Sequence, residues 1–399
     1  MQLILAALLL IIFILVILGS IENWNHNSRL NHIPIRIHIN GTRGKSSVTR
    51  LIASAFRANG ITVLAKTTGT LPRIILPNGN EISIIRKSRP NIIEQRDIVK
   101  LAAKYNADAI VIECMALQPH LQWISESKLI KATHTLITNI REDHMEIMGP
   151  GINDVAKCLA SSTPFNGICI LGDNQFKTIF QKSTSDRSTE LLYIEEKDIT
   201  VATQLQRKIS KYIEHIDNLA ITWCLLRVLG FENKKSELGI LQTEPDPGAF
   251  KVFEIEYFGR KLFLANGFAS NDPTSTRRIF ELSKEIVQSV KKIILIVNLR
   301  EDRSDRSKQL AQEVNNWQDV DSIFLLGLGS NLFIRECSKE LLEKVEISIF
   351  EDPTASLIAE SILSEIQEDC LIVGIGNIAG IGLEIIDFFK NRQQGNLTN

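Results

Sequence analysis

The 399-residue chain has no C-x-x-C pair, no surplus of one charge sign, no repeat at a fixed period, and only 6% aromatic residues. Each absence removes a class of protein. Its six cysteines, Cys114, Cys158, Cys169, Cys224, Cys337 and Cys370, stand singly in mostly apolar surroundings, so they read as buried reduced thiols and favour the cytoplasm for the body of the chain. The balance of 45 Lys+Arg against 46 Asp+Glu excludes a polybasic nucleic-acid coat or an acidic tail, and nucleic acid is not expected as a partner. With 22 Gly and 11 Pro there is neither a collagen-like repeat nor a low-complexity excess. At 44% hydrophobic and 23% charged residues, disorder is excluded too. At roughly 150 residues per domain, the length suggests two or three domains.

What is there begins with residues 3–18, LILAALLLIIFILVIL, an unbroken apolar run. As a helix it would span roughly 24 Å, and the uncharged flanks bring it close to the ~30 Å hydrocarbon core. A cleaved signal peptide fits poorly, because no Lys or Arg precedes the run and no small-x-small site follows it. A buried core helix fits poorly as well, since the run has no polar face. The expectation is a single-pass anchor over residues 1–21. Arg29, Arg36, Arg43, Lys45 and Arg50 follow with only Glu22 opposing them, which places the catalytic body on the cytoplasmic side of the cell membrane.

From residue 33 the sequence alternates β-rich runs with helical patterns, the rhythm of an α/β protein with a covered parallel sheet. Strands are expected near 35–39, 61–64, 109–113, 136–139 and 168–171, with an amphipathic helix over 45–59 ended by Gly60. The polar stretch 181–200 has little core pattern and reads as surface. The turn Pro245-Asp246-Pro247-Gly248 suggests a linker, giving a central domain over 22–244 and a smaller Rossmann-like α/β domain over 245–399. In the latter, strands are expected near 293–297, 323–326, 345–350 and 371–373.

Gly41-Thr42-Arg43-Gly44-Lys45-Ser46-Ser47 follows a strand and opens a helix. That context suits a phosphate loop: glycines let backbone N–H groups curl around phosphate oxygens, Lys45 neutralises charge, and a serine hydroxyl can ligate Mg²⁺. Ile39 stands where the general motif has its first glycine, so the loop is a shortened variant. Glu113 ends one expected strand, and Asn139 to Glu146, with His144, follows the next. Open α/β sheets bind ligands at these carboxyl ends, so Ser46, Glu113 and His144 are the candidate metal donors.

These motifs resemble the Mur ligase and folylpolyglutamate synthase superfamily: G-T-x-G-K-[ST]-[ST] at Gly41 to Ser47, a strand-end Glu at Glu113, and N-x-x-x-D-H-x-[DE] at Asn139 to Glu146. More specifically, the N-terminal apolar helix, NGTRGKSS, AKTTGT, IECMA, EDHMEIMGP, PFNG, PDPGA, NGFASND, the run at 300–306 and GIGNIAG resemble the ligase subunit of poly-γ-glutamate synthase, the PgsB/CapB family. The resemblance implies a Mur-ligase-like fold and an ATP-dependent, ADP-forming amide ligase that polymerises glutamate through a γ-glutamyl phosphate. It also implies Mg²⁺, with Mn²⁺ as a substitute, and small membrane partner subunits; a homo-oligomer is compatible with it. Lys45, Glu113 and His144 would be catalytic, Gly41 to Ser47 would hold the nucleotide, and Asn218 matches the superfamily's adenine-contacting Asn. After the strand near 293–297, Arg300 is expected to meet substrate and Arg303 the nucleotide, while Arg73 and Arg86, flanking a hairpin around Pro77 to Asn80, suit an anionic glutamate chain.

Some features depart from the superfamily. Only 40 residues precede Gly41, so a UDP-sugar has nowhere obvious to bind. Lys157, at the spacing of a carbamylated lysine in some Mur enzymes, reads as an exposed helix residue. The spacing in Gly374-Ile-Gly376-Asn377-Ile-Ala-Gly380 is wrong for NAD. Two alternatives remain: a related ligase with another acceptor, and a P-loop ATPase that drives envelope assembly or export without making a bond.

Overall fold

The computed structural model describes residues 2–69, 71–86, 90–209, 212, 214–246, 248–257, 259–270, 272–288, 290–301 and 304–395. The chain divides into two compact units, Met1–Ile209 with Glu214–Asp246, and Ser210–Ile213 with Pro247–Asn399.

The first unit opens with α1 (Gln2–Asn31), β1 (Ile35–Asn40), α2 (Lys45–Ala58), β2 (Val63–Lys66), the hairpin β3 (Arg73–Ile75) and β4 (Glu81–Ser83), and α3 (Glu94–Lys104). It continues with β5 (Ala109–Glu113), α4 (Pro119–Ile124) running on as a π-helix Ser125–Ile130, β6 (His134–Ile137), α5 (Met145–Met148), α6 (Ile152–Ala160) and β7 (Ile168–Leu171). The last elements are α7 (Lys177–Asp186), β8 (Glu190–Tyr193), α8 (Glu196–Lys208), α9 (Ile216–Val228) and α10 (Lys234–Leu241). The strands form one sheet in the order β4-β3-β2-β5-β1-β6-β7-β8, parallel from β2 to β8. Both faces are covered, which explains why β5 reads as an unbroken buried run rather than an alternating one. On one face, Val48, Leu51, Ile52 and Phe56 of α2 pack with Leu219, Leu225 and Leu226 of α9 over Ile37, Ile39 and Val111. Each such side chain contributes about 1.5–3 kcal/mol of burial.

Among the described residues one helix is long and apolar enough to cross a membrane, over Ile4–Asn31. That helix does not end with the apolar run. Its last turns dock on the sheet unit, where Leu30, and Ile33 just beyond, are buried with Ile98, Val99 and Ala102 of α3, and Glu22 pairs with Arg96 at 2.8 Å. The stretch 181–200, expected to run over the surface, does lie there, with only Thr184 and Asp198 buried, while it completes α7, forms β8 and begins α8. Its apolar signal is sparse because β8 is an edge strand and α7 buries only Phe180 and Thr184.

Under the other face, His38 of β1 is fully buried, with Nδ1 2.7 Å from Glu126 Oε2, while Glu126 Oε1 accepts the Ala132 N–H at 2.7 Å. Burial opposes the imidazolium, but the Cys114 sulfur and the Glu126 carboxylate outweigh it, and His38 is raised to about 10. Because the folded value lies above the unfolded one, this stabilisation is complete below pH ~6.5 and is lost as pH climbs through the raised value. Glu126→Ala is expected to cost about 3–5 kcal/mol, read as a lower urea midpoint at pH 6. The deficit should shrink toward pH 10; one that does not change with pH would show that the pair carries no charge.

The second unit comprises β9 (Val252–Tyr257), β10 (Arg260–Asn266), α11 (Pro273–Ile286), β11 (Lys292–Asn298), α12 (Ser304–Val314), β12 (Ser322–Leu326), α13 (Ser330–Glu336), α14 (Lys339–Lys344), β13 (Glu346–Phe350), α15 (Ala355–Glu365), β14 (Cys370–Ile375) and α16 (Ile381–Gly395). Its sheet runs β13-β12-β11-β14-β10-β9, all parallel except β9. As an edge strand with one solvated face, β9 alternates Phe253 and Ile255 inward with Glu254 and Glu256 outward.

Candidate active site

β1 lies between β5 and β6, at the point where the chain's strand order reverses, so the crevice beyond its carboxyl end is the expected ligand position in the first unit. The candidate phosphate loop, Gly41 to Ser47, occupies that end. Asn40 anchors its start: Nδ2 donates to Gln122 Oε1 and Ser162 Oγ at 2.8 and 2.9 Å, and Oδ1 accepts the Gly41 N–H at 2.9 Å. Gly41 and Gly44 hold φ of +127° and +80°. A Cβ at Gly41 would stand 2.1 Å from Thr138 Oγ1, and one at Gly44 2.1 Å from Asn218 Oδ1, so only glycine fits either position. α2 begins at Lys45, and its first-turn N–H groups have no intrahelical acceptor, leaving them free for an anion. The Lys45 ammonium curls over the loop, donating to Gly41 O at 2.7 Å and Thr42 O at 3.2 Å.

The segment after β6 clamps the loop from the side. Asn139 Oδ1 accepts from Thr42 Oγ1 at 2.6 Å and Arg43 N at 3.0 Å, Asn139 Nδ2 donates to Arg43 O at 3.1 Å, and Thr138 Oγ1 donates to the same carbonyl at 2.6 Å. The motif around Asn139 was visible in sequence, but this task was not. With about 1 kcal/mol per net hydrogen bond, Asn139→Ala is expected to raise the KM for ATP on the order of tenfold. Steady-state ADP release against ATP concentration measures it, and an unchanged KM would show the clamp to be irrelevant to nucleotide binding.

On the other side, Glu113 ends β5, and its Oε2 accepts from Ser46 Oγ at 2.8 Å and from the Thr68 N–H at 2.8 Å. A hydroxyl and a carboxylate thus meet beside the phosphate loop. These are hard oxygen donors of the kind that Mg²⁺ or Mn²⁺ takes, so the residues present fit such an ion. Among the described residues there is no group of three or more His, Cys, Asp and Glu arranged to hold a metal. His144 precedes α5 as its N-cap in a left-handed conformation, with its ring 3.3 Å from Glu146 and 3.9 Å from Asp143. Lys157 is exposed and pairs with Asp154 at 3.0 Å. Asn218 is buried, donates from Nδ2 to Glu214 Oε1 at 2.7 Å, and abuts Gly44.

Arg86 forms a two-pronged pair with Glu94 at 2.8 and 3.0 Å. Arg73 donates to Ser83 Oγ across the β3–β4 hairpin. Glu94 also lies 3.4 Å from the Lys66 ammonium. Lys66 is fully buried at the end of β2, where burial pushes its amine down against the opposing pull of Glu94. Sequence reading missed Lys66 and Glu94, although AKTTGT was noted. In the second unit Arg300 follows the carboxyl end of β11, and Asn298 Nδ2 donates to Asn377 O at 2.6 Å and Ala379 O at 3.2 Å, tying the GIGNIAG loop to the same edge. Arg303 and Asp302, like Lys87 and Arg89, lie outside the described residues.

Residues 39–230 match the model for the Mur ligase middle domain, and residues 252–392 match that for the poly-gamma-glutamate synthase CapB C-terminal domain. The chain is 34% identical over 383 residues to the capsule biosynthesis protein CapB of Bacillus anthracis, spanning 96% of this chain and 82% of that protein. It is 31% identical over 376 residues to the PGA synthase CapB of Bacillus subtilis (strain 168), spanning 94% and 95%. The chain belongs to the poly-γ-glutamate synthase CapB family. As a CapB-family protein with a Mur-ligase middle domain it is an ATP-dependent amide ligase. Its fold is that of folylpolyglutamate synthases. A bifunctional folylpolyglutamate synthase/dihydrofolate synthase from Yersinia pestis, complexed with AMPPNP and Mn, superposes with a TM-score of 0.67 at 14% identity, covering 92% of both chains. FolC from E. coli, in complex with DHPP and ADP, gives 0.63 at 14% identity, covering 92% and 93%.

Proposed function

We propose that this CapB-family chain polymerises glutamate into poly-γ-glutamate, using ATP and a divalent cation, Mg²⁺ or Mn²⁺. The γ-phosphoryl group of ATP moves to a γ-carboxylate oxygen, forming a mixed anhydride as ADP leaves. The α-amine of another glutamate then attacks the acyl carbon, the C–O bond to phosphate breaks, and inorganic phosphate departs while the amine gives up a proton. No covalent bond to the enzyme is needed, so catalysis is positioning and charge neutralisation.

In this reading Gly41 to Ser47 cradle the phosphates, and Lys45 leaves its loop carbonyls to meet the transferring group. Ser46 Oγ and Glu113 would hold the cation, with His144 assisting from the segment after β6. A bound divalent ion supplies Lewis-acid neutralisation of the phosphate oxygens. Asn218, against Gly44, borders the nucleotide, and Arg73, Arg86 and Arg300 are the candidates for meeting glutamate carboxylates. We further propose that α1 anchors the chain in the membrane with the ligase body in the cytoplasm, where ATP is found, beside small membrane subunits.

The observation that carries the proposal is the hydrogen-bonded Ser46–Glu113 pair beside a phosphate loop, in a chain similar to CapB proteins over almost its whole length. The test is ADP release by the membrane-embedded protein with L- and D-glutamate, with hydroxylamine added to trap the acyl phosphate. Glutamate-dependent ADP and a hydroxamate are expected. Glutamate-independent turnover without hydroxamate would overturn the ligase reading in favour of an ATPase that drives assembly.

A further inference from the structure

We infer that the first unit carries a binding site for the headgroup of an anionic phospholipid beside the exit of α1. A cleft of about 750 Å³ opens at the edge of the sheet opposite the phosphate loop, near the amino ends of β1, β6 and β7. Arg36, Lys128, Lys131, Trp123, Phe165 and Glu190 are among its walls. Trp123 and Phe165 are 40% and 51% exposed, two large aromatic rings on the wall of one cleft. Each is flanked by a cation: Lys128 Nζ lies 5.6 Å from the Trp123 ring and Arg187 5.3 Å from that of Phe165. The remaining acidic wall group, Glu126, points inward to His38 and the Ala132 N–H.

The position of the cleft decides the occupant. Lys131 Nζ donates to Asn27 Oδ1 of α1 at 2.7 Å, and Arg36 donates to the carbonyls of Leu30 and Ile33 at 3.3 and 2.7 Å. Asn27 lies six residues past Ile21, the last residue of the uncharged stretch. At 1.5 Å per residue that is about 9 Å along the helix, close to the roughly 5–8 Å of headgroup layer outside the hydrocarbon core. Trp24, 70% exposed, stands one turn nearer the bilayer. Aromatic rings interleaved with lysines at this depth match the interfacial belt and the negative surface of an anionic leaflet. Because α1 docks through buried Leu30, with Ile33 buried just beyond its end, the cleft is held at that depth, and headgroup binding would fix the ligase against the membrane. The inference rests on the proposed membrane anchor.

The full chain, reconstituted in vesicles of phosphatidylcholine with phosphatidylglycerol, is irradiated with photoactivatable phosphatidylglycerol and its labelled peptides are mapped. Labelling is expected around Trp123 to Lys131 and at Phe165, suppressed by unlabelled phosphatidylglycerol but not by inorganic phosphate. Lys128→Gln should lower the yield roughly fivefold, and Lys128→Gln with Lys131→Gln roughly thirtyfold, with ATP turnover unchanged in detergent. Equal labelling by photoactivatable phosphatidylcholine would overturn the site, as would competition by poly-γ-glutamate, which would assign the cleft to the polymer instead. A chain removed from vesicles by carbonate would overturn the anchor and the site together. One that stays but labels elsewhere would overturn the site alone.

Discussion

Lys45→Ala is expected to lower glutamate-dependent ADP release by at least about a hundredfold to a thousandfold, with the urea unfolding midpoint unmoved. The two halves of this expectation have separate causes. Lys45 is the first residue of α2, and its ammonium touches only the loop carbonyls Gly41 O and Thr42 O among the hydrogen bonds of the described residues. The loop itself is held by Asn139, Thr138 and Asn40, none of which depends on the lysine side chain. Removing the amine therefore deletes a positive charge at the proposed phosphate site without releasing the loop backbone. Charge at that position matters most when negative charge shifts during phosphoryl transfer, so kcat should fall more than ATP binding. ADP release and denaturation measured on the same preparation test both halves. Wild-type turnover in the variant would mean that the phosphate loop is misassigned.

The glycine loop between β1 and α2 was legible because everything it requires is local: a strand, two glycines, Lys-Ser and a helix within one short stretch. Glu113 was legible for a similar reason, as a carboxylate ending an otherwise apolar run. What was not legible depends on which strands become neighbours. Asn139 clamps Thr42 and Arg43 only because β6 pairs with β1, a fact that no spacing along the chain contains. Lys66 falls inside β2 although a lysine argues against a buried strand, and it is tolerated there because α3 brings Glu94 to it. The expected strand over 61–64 consequently sits two residues later, at Val63–Lys66. The antiparallel pair β9–β10 also went unread, even though Val252–Tyr257 alternates, because one alternating edge strand carries far less apolar signal than the continuous buried runs of β11 and β14.

Glu113→Gln is expected to raise the divalent-cation concentration needed for half-maximal ADP release on the order of tenfold to a hundredfold. The substitution separates the hydrogen bonds Glu113 makes from the metal-holding task proposed for it. A single carboxylate oxygen, Oε2, accepts both the Ser46 hydroxyl and the Thr68 N–H, so one amide oxygen can keep both bonds and hold the strand end against the loop. What glutamine lacks is the negative charge, and its NH₂ group presents a donor where a cation needs an acceptor. The fold should therefore persist, and turnover should recover partly at high Mg²⁺ or Mn²⁺. A purely structural role for Glu113 predicts the reverse pattern, a lowered unfolding midpoint with an ordinary metal requirement. Titrating ADP release against Mg²⁺ at saturating ATP and glutamate separates the two, and an unchanged titration would remove Glu113 from the metal site. Because Ser46 shares the bond, Ser46→Ala should shift the same titration in the same direction while leaving the carboxylate in place, so the hydroxyl and the charge can be weighed against each other in one double-mutant cycle.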